Sequence, residues 1–192
     1  MGDGRGAWEV IFDGYGWVGI MSESPGSLSL MPGTASRPDE THASLVVSKR
    51  QHSDFTLTAT AETARQLRVG TAPNTWETAW LVWHYADNSH FYYLALKTNG
   101  WELGKADPSY QGAQRFLATG STPRARIGEK SHVRISQHGT TSTVWIDNEP
   151  VASFTDEERP YLGGRIGFYT EDAEVRFSDV LIDSFTRSQE TK

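Results

Sequence analysis

Four acidic side chains of this 192-residue sequence, Glu77, Glu102, Glu171 and Asp172, stand among aromatic segments: Glu77 follows Trp76, Glu102 follows Trp101, and the Glu171-Asp172 pair follows Phe168-Tyr169. Paired carboxyl groups can work as acid and base on a glycosidic bond. Retaining hydrolysis needs them about 5–5.5 Å apart and inversion about 6.5–9.5 Å. Glu77, Glu102 and Glu171 are therefore the candidate catalytic residues. The aromatic side chains beside them concentrate in residues 79–105, "AWLVWHYADNSHFYYLALKTNGWELGK", which hold three tryptophans and three tyrosines interleaved with His, Lys and Glu. Apolar faces of sugars stack on such rings, while their hydroxyls bond to planar multi-donor groups such as Arg, Gln, Glu and His.

Positioning these groups requires strands. A four-residue loop at Ala86-Asp87-Asn88-Ser89 with Tyr85 facing His90 sets a hairpin register by counting. One face then carries Ala79, Leu81 and Trp83 opposite Leu96, Leu94 and Tyr92, an apolar set for the core. The other face carries Trp76, Trp80, Val82 and His84 against Lys97, Ala95, Tyr93 and Phe91, mixing large rings with ionisable groups, and looks outward. A turn at Asn99-Gly100 sets Lys97 beside Glu102 and Ala95 beside Gly104. As a surface pair alone, Lys97 and Glu102 would contribute only about 0.2–1 kcal/mol; a whole face of tryptophan, tyrosine and ionisable groups is an unusual surface to expose without use. In the preceding strand Phe55, Leu57, Ala59 and Ala61 share one phase, so Gln66 and Arg68 join the polar-aromatic face if no bulge intervenes. Trp101, Gln114 and Arg115 complete the candidate ligand-binding set of Gln66, Arg68, Trp76, Trp80, His84, Tyr93 and Lys97. On this register Trp80→Ala weakens saccharide binding with little loss of stability, whereas Trp83→Ala damages the fold.

Period-two alternation bounded by Gly, Pro, Asn, Asp or Ser recurs along the chain ("SLVVS", "DFTLTATAE", "TAWLVWHY", "HFYYLALK", "HVRIS", "TVWID", "GRIGFYT"), and no convincing helical stripe does. Eleven or more such strands in a chain too short for propeller blades predict an all-β, two-sheet antiparallel sandwich in one domain, residues 1–185, with helix confined to a turn or two near "TDEERPY". Ser22 to Thr41 reads as loop around one strand, and the polar tail 186–192 as frayed. With 37% hydrophobic and 22% charged residues the chain can close one sizeable core. A formal charge of −6 with scattered basic residues argues against a nucleic-acid partner. No run approaches a membrane span and the start has no apolar signal core, so the chain reads as soluble, cytoplasmic as written or secreted if a leader has been removed. Cysteine is absent, and HExxH, Gly-x-Ser-x-Gly, P-loop and dinucleotide motifs are missing.

The opening "WEVIFDGYG", the strand "SDFTLTATAE", the hairpin "LVWHYADNSHFYYLAL", the run "HVRISQHGTTSTVWIDNEPVASFTDEE" and the closing "GGRIGFYTEDAEVRFSDVLI" together resemble the concanavalin A-like, LamG-like jelly-roll superfamily. Within it they are similar to the bacterial family-16-like, or 3-keto-disaccharide hydrolase, domains. The resemblance implies a jelly-roll sandwich and a carbohydrate ligand, bound with or without cleavage. The Glu-x-Asp-x-(x)-Glu strand motif of true family 16 is absent. Glu171 continues the phase of Tyr169 and stands at a strand end. Jelly-roll polysaccharide lyases offer another template, in which Gln66 and Arg68 would neutralise a uronate with His84, Tyr93 and Lys97 nearby; a lectin-like or protein-interaction module is the non-catalytic alternative. The superfamily also implies a structural Ca2+ between first and last strands, for which Asp13 and Asp179 match the usual places. The apolar phase of the last strand slips near Ser178-Asp179, which predicts a bulge there.

Overall fold

The structure, a computed structural model, describes residues 4–20 and 26–185. The tail from Thr186 and residues 22–25 of the Ser22–Thr41 loop lie outside the described residues. Among those described, the strands are β1 (Trp8–Phe12), β2 (Trp17–Ile20), β3 (Leu28–Met31), β4 (Ala43–His52), β5 (Asp54–Gln66), β6 (Trp80–Asp87), β7 (His90–Lys97), β8 (Gly100–Ala106), β9 (Gln114–Gly120), β10 (Lys130–His138), β11 (Thr141–Ile146), β12 (Glu149–Thr155), β13 (Gly164–Glu171) and β14 (Ala173–Phe185). They form two antiparallel seven-stranded sheets, a first ordered β1-β4-β13-β6-β7-β8-β9 and a second ordered β12-β11-β10-β5-β14-β3-β2. The expected jelly-roll sandwich is thus the fold. The helix expected near residues 155–161 is not: the carbonyls of Glu158 and Arg159 accept hydrogen bonds from the buried Lys105 ammonium instead of closing a helical turn. The short 3-10 turns are at Gly4–Ala7 and Gln111–Ala113.

Between the sheets, Leu81, Trp83, Leu94, Leu103 and Phe168 of the first meet Phe55, Leu57, Ile135, Val144, Val175 and Phe177 of the second, all fully buried. Phe168 and Phe177 stack across the interface at 4.2 Å. Each such side chain contributes about 1.5–3 kcal/mol by leaving water. A second apolar cluster, including Leu45, Val47, Trp80, Val82, Tyr93 and Ala95, lies on the outer face of the first sheet. That sheet is therefore buried on both faces at its centre, and this outer cluster floors the site described below.

The β6–β7 register is the expected one over Trp80↔Ala95, Leu81↔Leu94, Val82↔Tyr93 and Trp83↔Tyr92. Beyond Trp83 it slips, and Asp87, not Tyr85, faces His90 across a tighter turn. The slip centres on His84, whose φ of 49° turns its ring away from the outer face. Gly164 makes this possible, because a Cβ there would lie 2.5 Å from the His84 carbonyl carbon. In β7–β8, Lys97 pairs with Gly100, Ala95 with Glu102 and Tyr93 with Gly104. This is two residues from the expected pairing, so every side chain keeps its face. The bulge expected in the last strand falls between Ser178 and Leu181.

Candidate functional site

Trp80 and Tyr93 project from neighbouring strands onto the outer face of the first sheet and stack with ring centroids 5.0 Å apart. Tyr169 from β13 meets Trp80 edge-on at 5.3 Å. Tyr93 can lie along the sheet because its cross-strand partner is Gly104, where any Cβ would collide with the phenol ring. Around this floor opens a cleft of about 510 Å3. Trp76, 42% exposed, rises as one wall, and its carbonyl accepts the Trp80 indole N–H at 2.7 Å. Trp80 faces outward as expected, yet it is only 8% exposed, covered by its aromatic neighbours. Its loss therefore costs packing as well as contact, which corrects the expectation of a freely exposed platform.

The polar groups of the cleft form a directed row. The Gln114 amide donates to the Tyr93 hydroxyl, that hydroxyl donates to Glu102 Oε1 at 2.9 Å, and Lys97 Nζ donates to Glu102 Oε2 at 2.9 Å. Burial, with the neighbouring Glu102 carboxylate, holds the Tyr93 phenol protonated well beyond its ordinary range. Glu171, at the end of β13, also lines the cleft, and its Oε1 accepts the Tyr169 hydroxyl at 2.6 Å. Burial pushes the Glu171 carboxyl above its ordinary pKa; Asp172 and Glu77 push the same way, against the hydrogen bonds from Tyr169 and Trp76. One carboxyl of the cleft thus has a raised proton affinity while another is ion-paired to a lysine, the kind of difference that acid–base chemistry uses.

Trp76, Trp80, Tyr93, Lys97, Glu102, Gln114 and Glu171 come together here; six expected residues do not. Arg68 and Glu77 are buried elsewhere. Arg68 Nε meets Glu77 Oε1 at 2.6 Å and Arg68 Nη2 meets Asp172 Oδ2 at 2.7 Å, while the guanidinium also donates to the carbonyls of Arg37 and Glu40. Asp172, with φ of 44°, is the one residue between β13 and β14, so this ion triad sits at the corner where the chain passes from sheet to sheet. Counting along β5 misplaced Arg68 and Gln66 because β5 lies in the second sheet, between β10 and β14, its register shifts between Thr63 and Arg65, breaking the alternation before Gln66, and Arg68 lies beyond its end. Gln66 donates to the carbonyls of Asn74 and Glu77, bracing the loop that carries Trp76. His84 is buried, its ring nitrogens bonded to the carbonyls of Tyr161 and Ser53, and burial lowers its pKa. Trp101 packs in the core between the sheets, its indole N–H on the Thr122 carbonyl. Arg115 sits on the other side of β9 from Gln114 and binds Asp156 and Glu158.

Tyr169, Phe91 and Phe116 line the cleft without having been singled out. Phe91 was on the correct face by counting. Tyr169 needed the knowledge that β13 lies beside β6, which no local pattern carries. Of the two carboxylates considered for calcium, Asp13, in the turn after β1, accepts the Tyr15 N–H at Oδ1, and Asp179, at the β14 bulge, accepts the hydroxyls of Thr60 and Ser178 at Oδ2. Among the described residues no group of three or more His, Asp or Glu is placed to hold a metal ion.

The two-layer sandwich, with an aromatic, carboxyl-bearing cleft on one sheet, is of a carbohydrate-related class of β-sandwich. The chain belongs to the family of the 3-keto-alpha-glucoside-1,2-lyase-like domain, whose model matches residues 7–183. No curated protein matches it at a significant level. Among solved structures it is similar to the carbohydrate binding module CBM66 from Bacillus subtilis, with a TM-score of 0.69 and 17% identity, covering 93% of this chain and 96% of that one. It is also similar to a galectin-like protein of unknown function from Bacillus subtilis, with a TM-score of 0.65 and 12% identity over 92% and 89% of the two chains. A candidate glycosyl hydrolase from Parabacteroides distasonis ATCC 8503 matches with a TM-score of 0.59 and 13% identity over 93% and 99%. At these identities the likeness speaks for the fold. Among the described residues no helix is long and apolar enough to cross a membrane.

Proposed function

We propose that the cleft binds a glycoside and cleaves its glycosidic bond, with Glu171 giving the proton to the leaving oxygen. The observation that carries this reading is the placement of a half-buried carboxyl of raised proton affinity and an ion-paired carboxylate on one aromatic cleft. A sugar ring lies on Trp80 and Tyr93, with Lys97 donating to its hydroxyl or carbonyl oxygens and Glu102 accepting from a hydroxyl. The family's description supports elimination as the form of the reaction. In a 3-keto glycoside the ketone acidifies the C2 hydrogen; a base, here assigned to Glu102, takes that proton, the C2–H electron pair becomes the C1=C2 double bond, and the C1–O bond breaks as Glu171 protonates the departing oxygen.

One observation favours a second reading, a non-catalytic carbohydrate-binding module: both Glu102 oxygens are already engaged, by Tyr93 and Lys97, a state that suits recognition better than proton transfer. The discriminating experiment incubates the protein with a panel of glycosides and their 3-keto forms and follows release of the leaving alcohol. Enzymatic cleavage predicts turnover that Glu171→Gln abolishes while calorimetric binding persists. Binding without turnover in any member of the panel leaves the module, and turnover untouched by Glu171→Gln removes the assigned acid.

A further inference from the structure

The cleft changes chemistry along its length. Counting outward residues of β7 from Lys97 to Phe91 spans six residues, about 20 Å of strand. Glu102, Lys97 and Glu171 crowd one end. Toward the other, the pairs are Tyr93 with Gly104 and Phe91 with Ala106, and β9 sets Phe116 beside Gly104 and Gln114 beside Ala106. Phe116 is 64% exposed on the rim, and Phe91 meets Tyr93 edge-on at 6.4 Å. Gln114 is the one polar side chain of this end that lines the cleft, and its amide is committed to the Tyr93 hydroxyl. Small residues, Ala106 and Ala113, leave the floor between the rings open. A sugar in this half would find few free polar groups for its hydroxyls, whereas a flat hydrophobic group would cover rings that otherwise face water.

From this asymmetry we infer that the Phe91–Phe116 half of the cleft is a pocket for an apolar aglycone, so that the favoured ligands are glycosides of aromatic or other planar hydrophobic alcohols and not oligosaccharides. The inference rests on the reading that the cleft takes a glycoside, with the sugar at the Glu102 and Glu171 end.

Calorimetric titration of the full chain with methyl, phenyl and disaccharide forms of the same glucoside, in both anomers and as their 3-keto derivatives, tests it. The expected result is phenyl glucosides binding at least about tenfold tighter than methyl glucosides or disaccharides, the scale of covering part of one phenylalanine. Phe116→Ala brings that ratio close to one, while Leu181→Ala, on the opposite sheet, leaves it intact. Equal or better binding of the disaccharide, or a phenyl preference that survives both Phe116→Ala and Phe91→Ala, overturns the inference and leaves the glycoside reading standing. If no glycoside of any form binds, the glycoside reading falls and takes this inference with it.

Discussion

Replacing Arg68 by methionine withdraws the guanidinium from a buried corner that holds two carboxylates. The guanidinium gives charged hydrogen bonds of 2.6 and 2.7 Å to Glu77 and Asp172 and two more, of 2.8 and 3.0 Å, to backbone carbonyls. All three side chains are at most 2% exposed. Breaking a buried ion pair from one side costs about 3–5 kcal/mol, because the charge left behind is uncompensated. For a chain of this length that is a fall in Tm of roughly 10 °C. The sign of the pH dependence follows from the same cause. Burial already raises Asp172 above its ordinary pKa, and without Arg68 its folded-state proton affinity rises further. Protonated in both states at acid pH, Asp172 then costs little. The penalty grows as pH rises through its raised folded pKa. Urea unfolding at pH 8 and pH 5 should show the larger loss at pH 8. The triple replacement Arg68→Met, Glu77→Gln, Asp172→Asn should recover most of it, since no unpaired charge remains. A loss under about 1 kcal/mol, equal at both pH values, would refute the buried triad.

Three further outcomes are expected. Trp83→Ala should destabilise the protein by about 3–5 kcal/mol and Trp80→Ala by about 2 kcal/mol in chemical unfolding, with Trp80→Ala alone also abolishing glycoside binding; equal stability losses would place Trp80 in the main core. Gly104→Ala should cost about 1–3 kcal/mol through overpacking, because Tyr93 is held by Trp80, Glu102 and Gln114 and cannot yield, and calorimetry should register weaker binding in the same variant. If Glu171 is the proton donor, turnover falls as pH rises through its raised folded pKa, and stability declines over the same window because the folded state holds that proton more tightly than the unfolded one; an alkaline limb unchanged in Glu171→Asp would assign the acid elsewhere.

Much of the sandwich could be read locally. The pairing of Leu81 with Leu94 and Trp83 with Tyr92, and with it the split between an apolar inner face and an aromatic outer one, follows from period-two alternation and a short turn. Lys97 and Glu102 met despite a two-residue error in the turn, since an even slip preserves the face and a diagonal neighbour remains within reach of a long side chain. His84 escaped the same reasoning: one residue in left-handed backbone, admitted by Gly164 some eighty positions later, reverses its direction.

The sequence by itself determined which residues alternate, and therefore the two-layer architecture and which side of the β6–β8 hairpins carries tryptophan, tyrosine, lysine and glutamate. Alternation is a property of one strand and its immediate partner, so it needs nothing distant. Only the tertiary structure decided which strands lie side by side. It put β13 against β6, bringing Tyr169 and Glu171 to the cleft, and it turned Gln66 and Arg68, past a break in the β5 register, onto the Asn74–Glu77 loop and the Glu77–Asp172 corner. Strand order is chosen by the packing of a whole core, in which Phe168 must meet Phe177 and a buried guanidinium must meet two carboxylates, and no short stretch of chain holds that information.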